Sequence, residues 1–231
     1  MNKLDLFVYK YVRSFPKRVK CPCCGWSGVA FIGFKDRDNE ICPSCQSKGR
    51  HRFLYLLLER VFRNNKLPPN PKILHIAPEV MSIGKFLKHK VRDGYLSIDL
   101  RPGFAMKVMD ITNMSAFDNN YFDFIFMAHV LEHVKNENKA IGEVIRVLKK
   151  KTGIAVLCVP ISNKVKRSVD YSQKVASKHP HGHVREYNLD FFDKLRNYNL
   201  KVEVTNTNIF PKSMRSLYGM RMSWVAICRK A

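Results

Sequence analysis

Residues 121–159 read YFDFIFMAHVLEHVKNENKAIGEVIRVLKKKTGIAVLCV, and the fold class follows from this stretch. Tyr121 to Ala128 is nearly all apolar, as a strand buried on both faces requires. From Glu137 to Lys150 the residues Ala140, Ile141, Val144, Ile145 and Leu148 recur at three- and four-residue steps and so share one face of a helix. Gly153 is a stop signal, and Ile154 to Val159 is again an apolar run. Strand, helix and strand in succession build a mostly parallel sheet covered by helices.

The alternation continues in both directions. Upstream, Ile73 to Ala77 reads as a buried strand, Ser82 to Lys90 as a short helix, Tyr95 to Leu100 as a second strand and Met106 to Asp110 as a brief third. Downstream, Asp190 to Tyr198 looks helical, Val202 to Thr207 is a sixth strand and Met222 to Cys228 a seventh. No helical period separates the last two, which predicts a terminal antiparallel pair. The expected fold is α/β, with a seven-stranded, mostly parallel sheet and helices on both faces. Lys66-Leu67-Pro68-Pro69-Asn70-Pro71 is a breaker and a natural boundary. Before it, Phe53, Leu54, Leu57, Leu58, Val61 and Phe62 form a helical stripe. Three segments result: a basic amphipathic lead-in over 1–20, a small cysteine-bearing module with its helix over 21–65, and an α/β domain over 66–231.

A hydrophobic fraction of 45% is enough to fill a core and excludes wholesale disorder. Lys and Arg total 41 against 19 Asp and Glu, a formal charge of +22. Such an excess suits an anionic partner (RNA, a phosphorylated metabolite or an anionic membrane surface), or reflects a lysine-rich proteome. No apolar run approaches the roughly 18 residues of a transmembrane helix. Asp5 interrupts the apolar part of the lead-in and no small-residue cleavage site follows, so it is a poor signal peptide. Its apolar stripe suits packing against its own domain or lying on a membrane. The expected location is cytoplasmic, with peripheral membrane attachment as the variant.

Cys21-x2-Cys24 and Cys42-x2-Cys45 are separated by 17 residues. Two tight turns at this spacing present four thiolates to one tetrahedral zinc ion. Such a closed site leaves no position for a substrate, so its role is structural. Cys23 reads as a bystander, and Cys158 and Cys228 as core residues. Lys48, Arg50, His51 and Arg52 follow the cysteines and could grip phosphate.

Ligands of open α/β sheets bind beyond the carboxyl ends of the strands. The first strand ends in His75-Ile76-Ala77-Pro78-Glu79, without the glycine-rich turn that cradles a pyrophosphate. A cationic cofactor with no phosphate does not need that cradle, and Glu79 would suit its charge. The second strand ends in Asp99-Leu100, where a carboxylate can accept both ribose hydroxyl protons. The third ends in Asp110-Ile111, which could meet an adenine edge, and the fourth delivers His129.

The series ILHIAPE, YLSIDL, MDITNMSAFDNNYFDFIFMAHVLEHV and EVIRVLKKKTGIAVLCVP resembles the successive motifs of class I S-adenosylmethionine-dependent methyltransferases of type 11, over roughly residues 72–207. The cysteine pair followed by Arg50-His51-Arg52 is similar to bacterial members with a cysteine motif ahead of this domain. The resemblance implies a Rossmann-like methyltransferase fold and S-adenosylmethionine at His75, Ala77, Glu79, Asp99, Leu100, Asp110, Ile111 and His129. It departs from the pattern at Ala77-Pro78, where the family usually carries glycines.

Methyl transfer to a hydroxyl asks for a positioned acceptor and a base. The candidates are His129, Glu132, His133 and, from the segment HPHGHVREY over 179–187, His181, His183 and Arg185. In a helix starting near His129, residues 129, 132 and 133 share a face. This H-x-x-E-H with a later Gly-His is similar to the metal-binding pattern of ubiquinone-biosynthesis O-methyltransferases and of small-RNA 2′-O-methyltransferases. Carried over, Glu132, His133 and His183 would ligate a second divalent metal, with His129 replacing a Glu. The histidine where a Glu stands argues against magnesium. The same five residues match a metalloprotease pattern, which the flanking methyltransferase-like motifs disfavour. Three functions follow: O-methylation of a small molecule such as a sugar or lipid-linked intermediate, RNA methylation using the zinc module and basic surface, and a non-enzymatic zinc-ribbon nucleic-acid binder.

Overall fold

The computed structural model describes residues 18–34, 37–79, 81–172 and 182–230. The lead-in up to residue 17 and His181 lie outside the described residues. The described residues divide into two compact units: those within 18–66, 81–86 and 206–223 form the first, and those within 67–79, 87–205 and 224–230 the second.

In the first unit, β1 (Val19–Lys20) pairs antiparallel with β2 (Ser27–Gly28), and β3 (Ile32–Phe34) with β4 (Arg37–Ile41). Helix α1 (Gly49–Asn64) buries Phe53, Leu54, Leu57, Leu58 and Val61, the stripe read from the sequence. Phe53 meets Phe210 edge-on, and Phe62 meets Phe86 likewise. Residues 206–223 therefore join this unit, although a single cut near residue 66 places them with the α/β domain. Arg52 is the reason. Its fully buried guanidinium donates to the carbonyls of Glu40 (3.0 Å), Ser47 (2.6 Å), Tyr218 (2.5 Å) and Gly219 (2.8 Å), and lies 3.8 Å from the centre of the Phe31 ring. Gly219 has φ +51°, and a Cβ there would press within 2.8 Å of Phe31.

The second unit carries β5 (Ile73–Ile76), β6 (Tyr95–Asp99), β7 (Lys107–Val108), β8 (Phe124–Ala128) and β9 (Ile154–Cys158). A small antiparallel pair, β10 (Val169–Asp170) and β11 (Arg185–Glu186), precedes β12 (Leu200–Asn206) and β13 (Trp224–Lys230). The main sheet has seven strands in the order β12-β13-β9-β8-β5-β6-β7. Pairs β5–β6, β5–β8, β6–β7 and β8–β9 are parallel, and β13 runs antiparallel to β9. Helix α2 (Met81–Val91) follows β5, α3 (Glu137–Val147) follows β8, and α4 (Asp190–Arg196) precedes β12. Every residue of β5, β8 and β9 is buried, as strands central to a covered parallel sheet must be. Ala140, Ile141, Val144 and Val147 of α3 and Phe191, Phe192 and Leu195 of α4 complete the core.

Two details differ from the expected elements. The third strand shrinks to two residues, both exposed, at the sheet edge. A short helix, Lys212–Leu217, separates β12 from β13; it buries no residue, so it left no amphipathic period to read. Among the described residues no helix is long and apolar enough to cross a membrane.

Candidate active site and cysteine centre

The central strands of the second unit end in two backbone reversals. Ala77, after β5, has φ +48°, and its N–H donates to Ile98 O at 2.8 Å. His129, after the neighbouring β8, has φ +58°, and its N–H donates to Cys158 O at 2.9 Å. A left-handed conformation costs a residue with a Cβ about 1 kcal/mol or more, and such positions concentrate at functional edges. Ala77 thus adopts the backbone shape for which glycine is the usual choice, and the missing glycine leaves the turn intact.

Asp99 ends β6 with its carboxylate buried. Oδ1 accepts from the Arg101 backbone N–H at 2.8 Å and from Arg101 Nε at 3.1 Å, and Oδ2 accepts from Arg101 Nη2 at 3.1 Å. The hydrogen bonds from Arg101 outweigh burial and hold the carboxyl below its usual range, so it is ionised near neutral pH. Leu100 and Glu79 are exposed beside these strand ends. Asp110 is exposed and its Oδ1 accepts from Thr112 N at 2.8 Å.

Two of the expected cofactor contacts are corrected at the side-chain level. His75 is buried within β5, its Nδ1 lies 2.9 Å from Tyr95 Oη, and its ring packs on Phe126. Burial drives its pKa down to about 3, with Glu79 opposing weakly, so it is a neutral core residue. Ile111 also turns into the core and can offer a ligand only its backbone.

The loop after β8 gathers the candidate catalytic residues. His129 Nδ1 lies 3.3 Å from Glu132 Oε1, and Cys158 Sγ is 4.0 Å from His129 Nε2. Burial lowers the His129 pKa, but Cys158 and Glu132 together raise it to about 10. Residues 131–133 form one 3-10 turn, not the α-helix expected from His129 onward. Glu132 is 1% exposed, and its Oε2 has no hydrogen-bond partner among the described residues. His133 Nδ1 donates to Gly182 O at 3.4 Å, Val184 N to Glu132 O at 2.8 Å, and the His133 and His183 rings meet edge to face at 4.8 Å. One ligand atom from each of Glu132, His133 and His183 lies within 4.8 Å of the other two. His133 Nε2 is left as the lone-pair nitrogen of that ring. His129 is not among the three: its Nδ1 faces Glu132 Oε1 and its Nε2 faces Cys158 Sγ.

In the first unit, Cys21, Cys24, Cys42 and Cys45 present sulfurs within 4.8 Å of one another. Cys21 and Cys45 are 3.6 Å apart, and Cys24 and Cys42 are 3.7 Å apart. A tetrahedral ion with bonds of about 2.3 Å needs ligand sulfurs about 3.8 Å apart, so the set fits zinc. The two pairs sit on matching turns. Gly25 N donates to Cys21 O and Cys21 N to Trp26 O; Gln46 N donates to Cys42 O and Cys42 N to Ser47 O. Gly25 (φ +78°) and Gln46 (φ +59°) occupy the same left-handed position after the second cysteine. Ser47 Oγ lies 3.2 Å from the sulfurs of both Cys21 and Cys45. Hydrogen bonding among the thiols raises the pKa of Cys21, Cys24 and Cys42 and lowers that of Cys45. Four thiolates so close require a cation. Two of the four residues expected to grip phosphate are corrected: Arg52 is the buried hub described above, and His51, also buried, accepts from Lys48 N at 3.1 Å.

Sequence reading missed Arg101 and the placement of Cys158. The second was accessible in principle, since Ala128 and Cys158 pair at the ends of adjacent strands.

Residues 76–157 match the methyltransferase domain family of type 11. No curated protein matches the chain. Among solved structures, the [4+2]-cyclase SpnF is similar at 15% identity and a TM-score of 0.53, over 76% of this chain and 80% of its own. A Listeria monocytogenes protein assigned as an S-adenosylmethionine-dependent methyltransferase is similar at 14% identity and 0.50, over 78% and 98%. A chain from the complex of the Haloferax volcanii Trm112 methyltransferase activator with a methyltransferase is similar at 12% identity and 0.51, over 74% and 87%. At these identities the likeness is one of fold, the Rossmann-like fold of S-adenosylmethionine-dependent methyltransferases, and the cyclase shows that the fold alone does not name the reaction.

Proposed function

We propose, from the premise that residues 76–157 are a methyltransferase domain, that the chain transfers the methyl group of S-adenosylmethionine to a hydroxyl of a small molecule. The observation that carries this reading is the gathering of Asp99, the left-handed Ala77 turn and the Glu132–His133–His183 trio at the strand ends of one sheet. S-adenosylmethionine, when bound, supplies an electrophilic methyl on a sulfonium. Asp99 would accept its ribose hydroxyls, the backbone at Ala77 and Ile111 would border it, and Glu79 would favour its positive charge. With no metal held at the trio, His133 or His183 would take the acceptor proton; His129, held between Cys158 and Glu132, would position Glu132.

The buried, unpartnered Oε2 of Glu132 is costly as it stands and suits a cation. Glu132, His133 and His183 would hold a divalent metal, and two nitrogen ligands with one carboxylate suit zinc, manganese or iron better than magnesium. Such an ion would acidify an acceptor hydroxyl. Cys21, Cys24, Cys42 and Cys45 would hold a separate, structural zinc.

The reading is tested by incubating the chain with methyl-labelled S-adenosylmethionine and separate pools of small metabolites, RNA and protein. Label in the small-molecule pool, lost with Glu132→Gln, supports it. Label in RNA or protein overturns the small-molecule assignment.

A further inference from the structure

The second unit contains a cavity of about 490 Å3 whose lining includes Lys135, Asn136, Glu137, Asn138, Asp170 and Lys194. A recess of about 210 Å3 shares Glu137, Asp170 and Lys194 with it and reaches Ser168 and Tyr187. Its walls are built, not incidental. Arg185, 5% exposed, donates to the carbonyls of Val134 and Lys135, to Asp170 Oδ2 at 2.8 Å, and lies 3.4 Å from Glu137 Oε2. Glu137, 4% exposed, accepts from Tyr187 Oη at 2.9 Å and from Lys194 Nζ at 2.5 Å. These bonds lock the loop after β8 to the segment that enters β11, and the same two segments carry Glu132, His133 and His183.

What the lining can offer a ligand follows from counting its groups. Glu137 is consumed by Arg185, Lys194 and Tyr187, and Asp170 by Arg185 and by Ser172 N at 2.7 Å. Asn136 Oδ1 accepts from Lys139 N, and Asn138 Oδ1 from Tyr198 Oη, so each amide has its NH2 group left to give. Lys135 adds an exposed ammonium. The larger cavity is lined by polar and charged residues throughout, and only the recess adds apolar walls, from Val169 and Phe191. The free donors of the larger cavity suit hydroxyls together with an anionic group.

We propose that this cavity is the acceptor site and that it selects a small hydroxylated acceptor bearing an anionic group, of the sugar-phosphate or sugar-acid class. The proposal rests on the methyltransferase reading above and names its substrate class.

The test is calorimetric titration of glucose 6-phosphate, glucuronate, glucose and catechol into the full chain saturated with S-adenosylhomocysteine. Lys135→Ala and Asn138→Asp are run beside it; the second keeps an acceptor for Tyr198 Oη while adding a negative charge. At least one charged sugar is expected to bind about tenfold more tightly than glucose, and each substitution to weaken it about fivefold or more while S-adenosylhomocysteine binds as before. Normal S-adenosylhomocysteine binding with no charged sugar bound, with catechol preferred, or with charged sugars indifferent to both substitutions, overturns the acceptor assignment alone. Failure of S-adenosylhomocysteine to bind overturns the reading beneath it, and the assignment falls with it.

Discussion

The Arg101 side chain grips the Asp99 carboxylate with a two-pronged fork, Nε on Oδ1 and Nη2 on Oδ2, both at 3.1 Å. With the Arg101 backbone N–H also on Oδ1, that oxygen has both lone pairs engaged and Oδ2 has one remaining. A ribose that donates two hydroxyls to Asp99 must therefore displace the fork. The Arg101 guanidinium, 3.9 Å from the centre of the Phe104 ring and 62% exposed as a side chain, is free to swing.

Arg101→Ala removes a competitor for the carboxylate. With its Arg101 side exposed to solvent the pair is worth about 1 kcal/mol, so S-adenosylhomocysteine should bind roughly two- to fivefold more tightly to the variant. Calorimetry reads this directly. Weaker binding would show that Arg101 itself contacts the cofactor.

Ala77→Gly relieves the left-handed strain at the end of β5. The variant should melt at the same temperature or higher, whereas Ala77→Val should lose about 1–2 kcal/mol in urea unfolding. A glycine variant clearly less stable than the parent would contradict the role assigned to this turn.

Arg52→Met leaves five carbonyls, those of Glu40 and Ser47 buried, without this donor. The expected loss is about 3–5 kcal/mol, followed through thermal unfolding and release of bound zinc to a chromogenic chelator. Stability and zinc retention equal to the parent would show that the hub is dispensable.

His75 makes a pH prediction with a definite sign. Its folded pKa is about 3 against 6.5 for the free side chain, so between these values the unfolded chain binds the extra proton. Stability must fall as pH drops through that window, by about 2 kcal/mol from this residue at pH 5. Urea unfolding at pH 7 and pH 5 should show a smaller loss for His75→Gln than for the parent; equal losses would mean that His75 is protonated in the folded state.

The fold was legible where burial imposes a pattern. The all-apolar runs of β5, β8 and β9 and the stripe of α3 follow from their place in a covered parallel sheet. Four cysteines at the right spacing showed their centre because metal geometry restricts spacing. The helix Lys212–Leu217, which buries no residue, was not legible, and the brief third strand was read at its place but longer than the two residues of β7. Nor were the duties of single polar residues. Arg52 reads as one more cation in a basic stretch, and only its burial among carbonyls turns it into a structural hub. His75 stands in the sequence at a cofactor-facing strand end, but both faces of β5 are covered, and its ring is buried against Tyr95 and Phe126. Glu132 and His183 lie 51 positions apart, and their meeting depends on a loop whose path no local pattern encodes.

The central claim is that Asp99 holds the ribose of S-adenosylmethionine at the edge of this sheet. The most direct test is calorimetric titration of S-adenosylhomocysteine into the zinc-loaded chain and into Asp99→Ala. The account predicts micromolar-range binding that Asp99→Ala weakens by about tenfold or more, the loss of a charge-assisted pair of hydrogen bonds. No binding to the parent chain, or equal binding to both proteins, would contradict it.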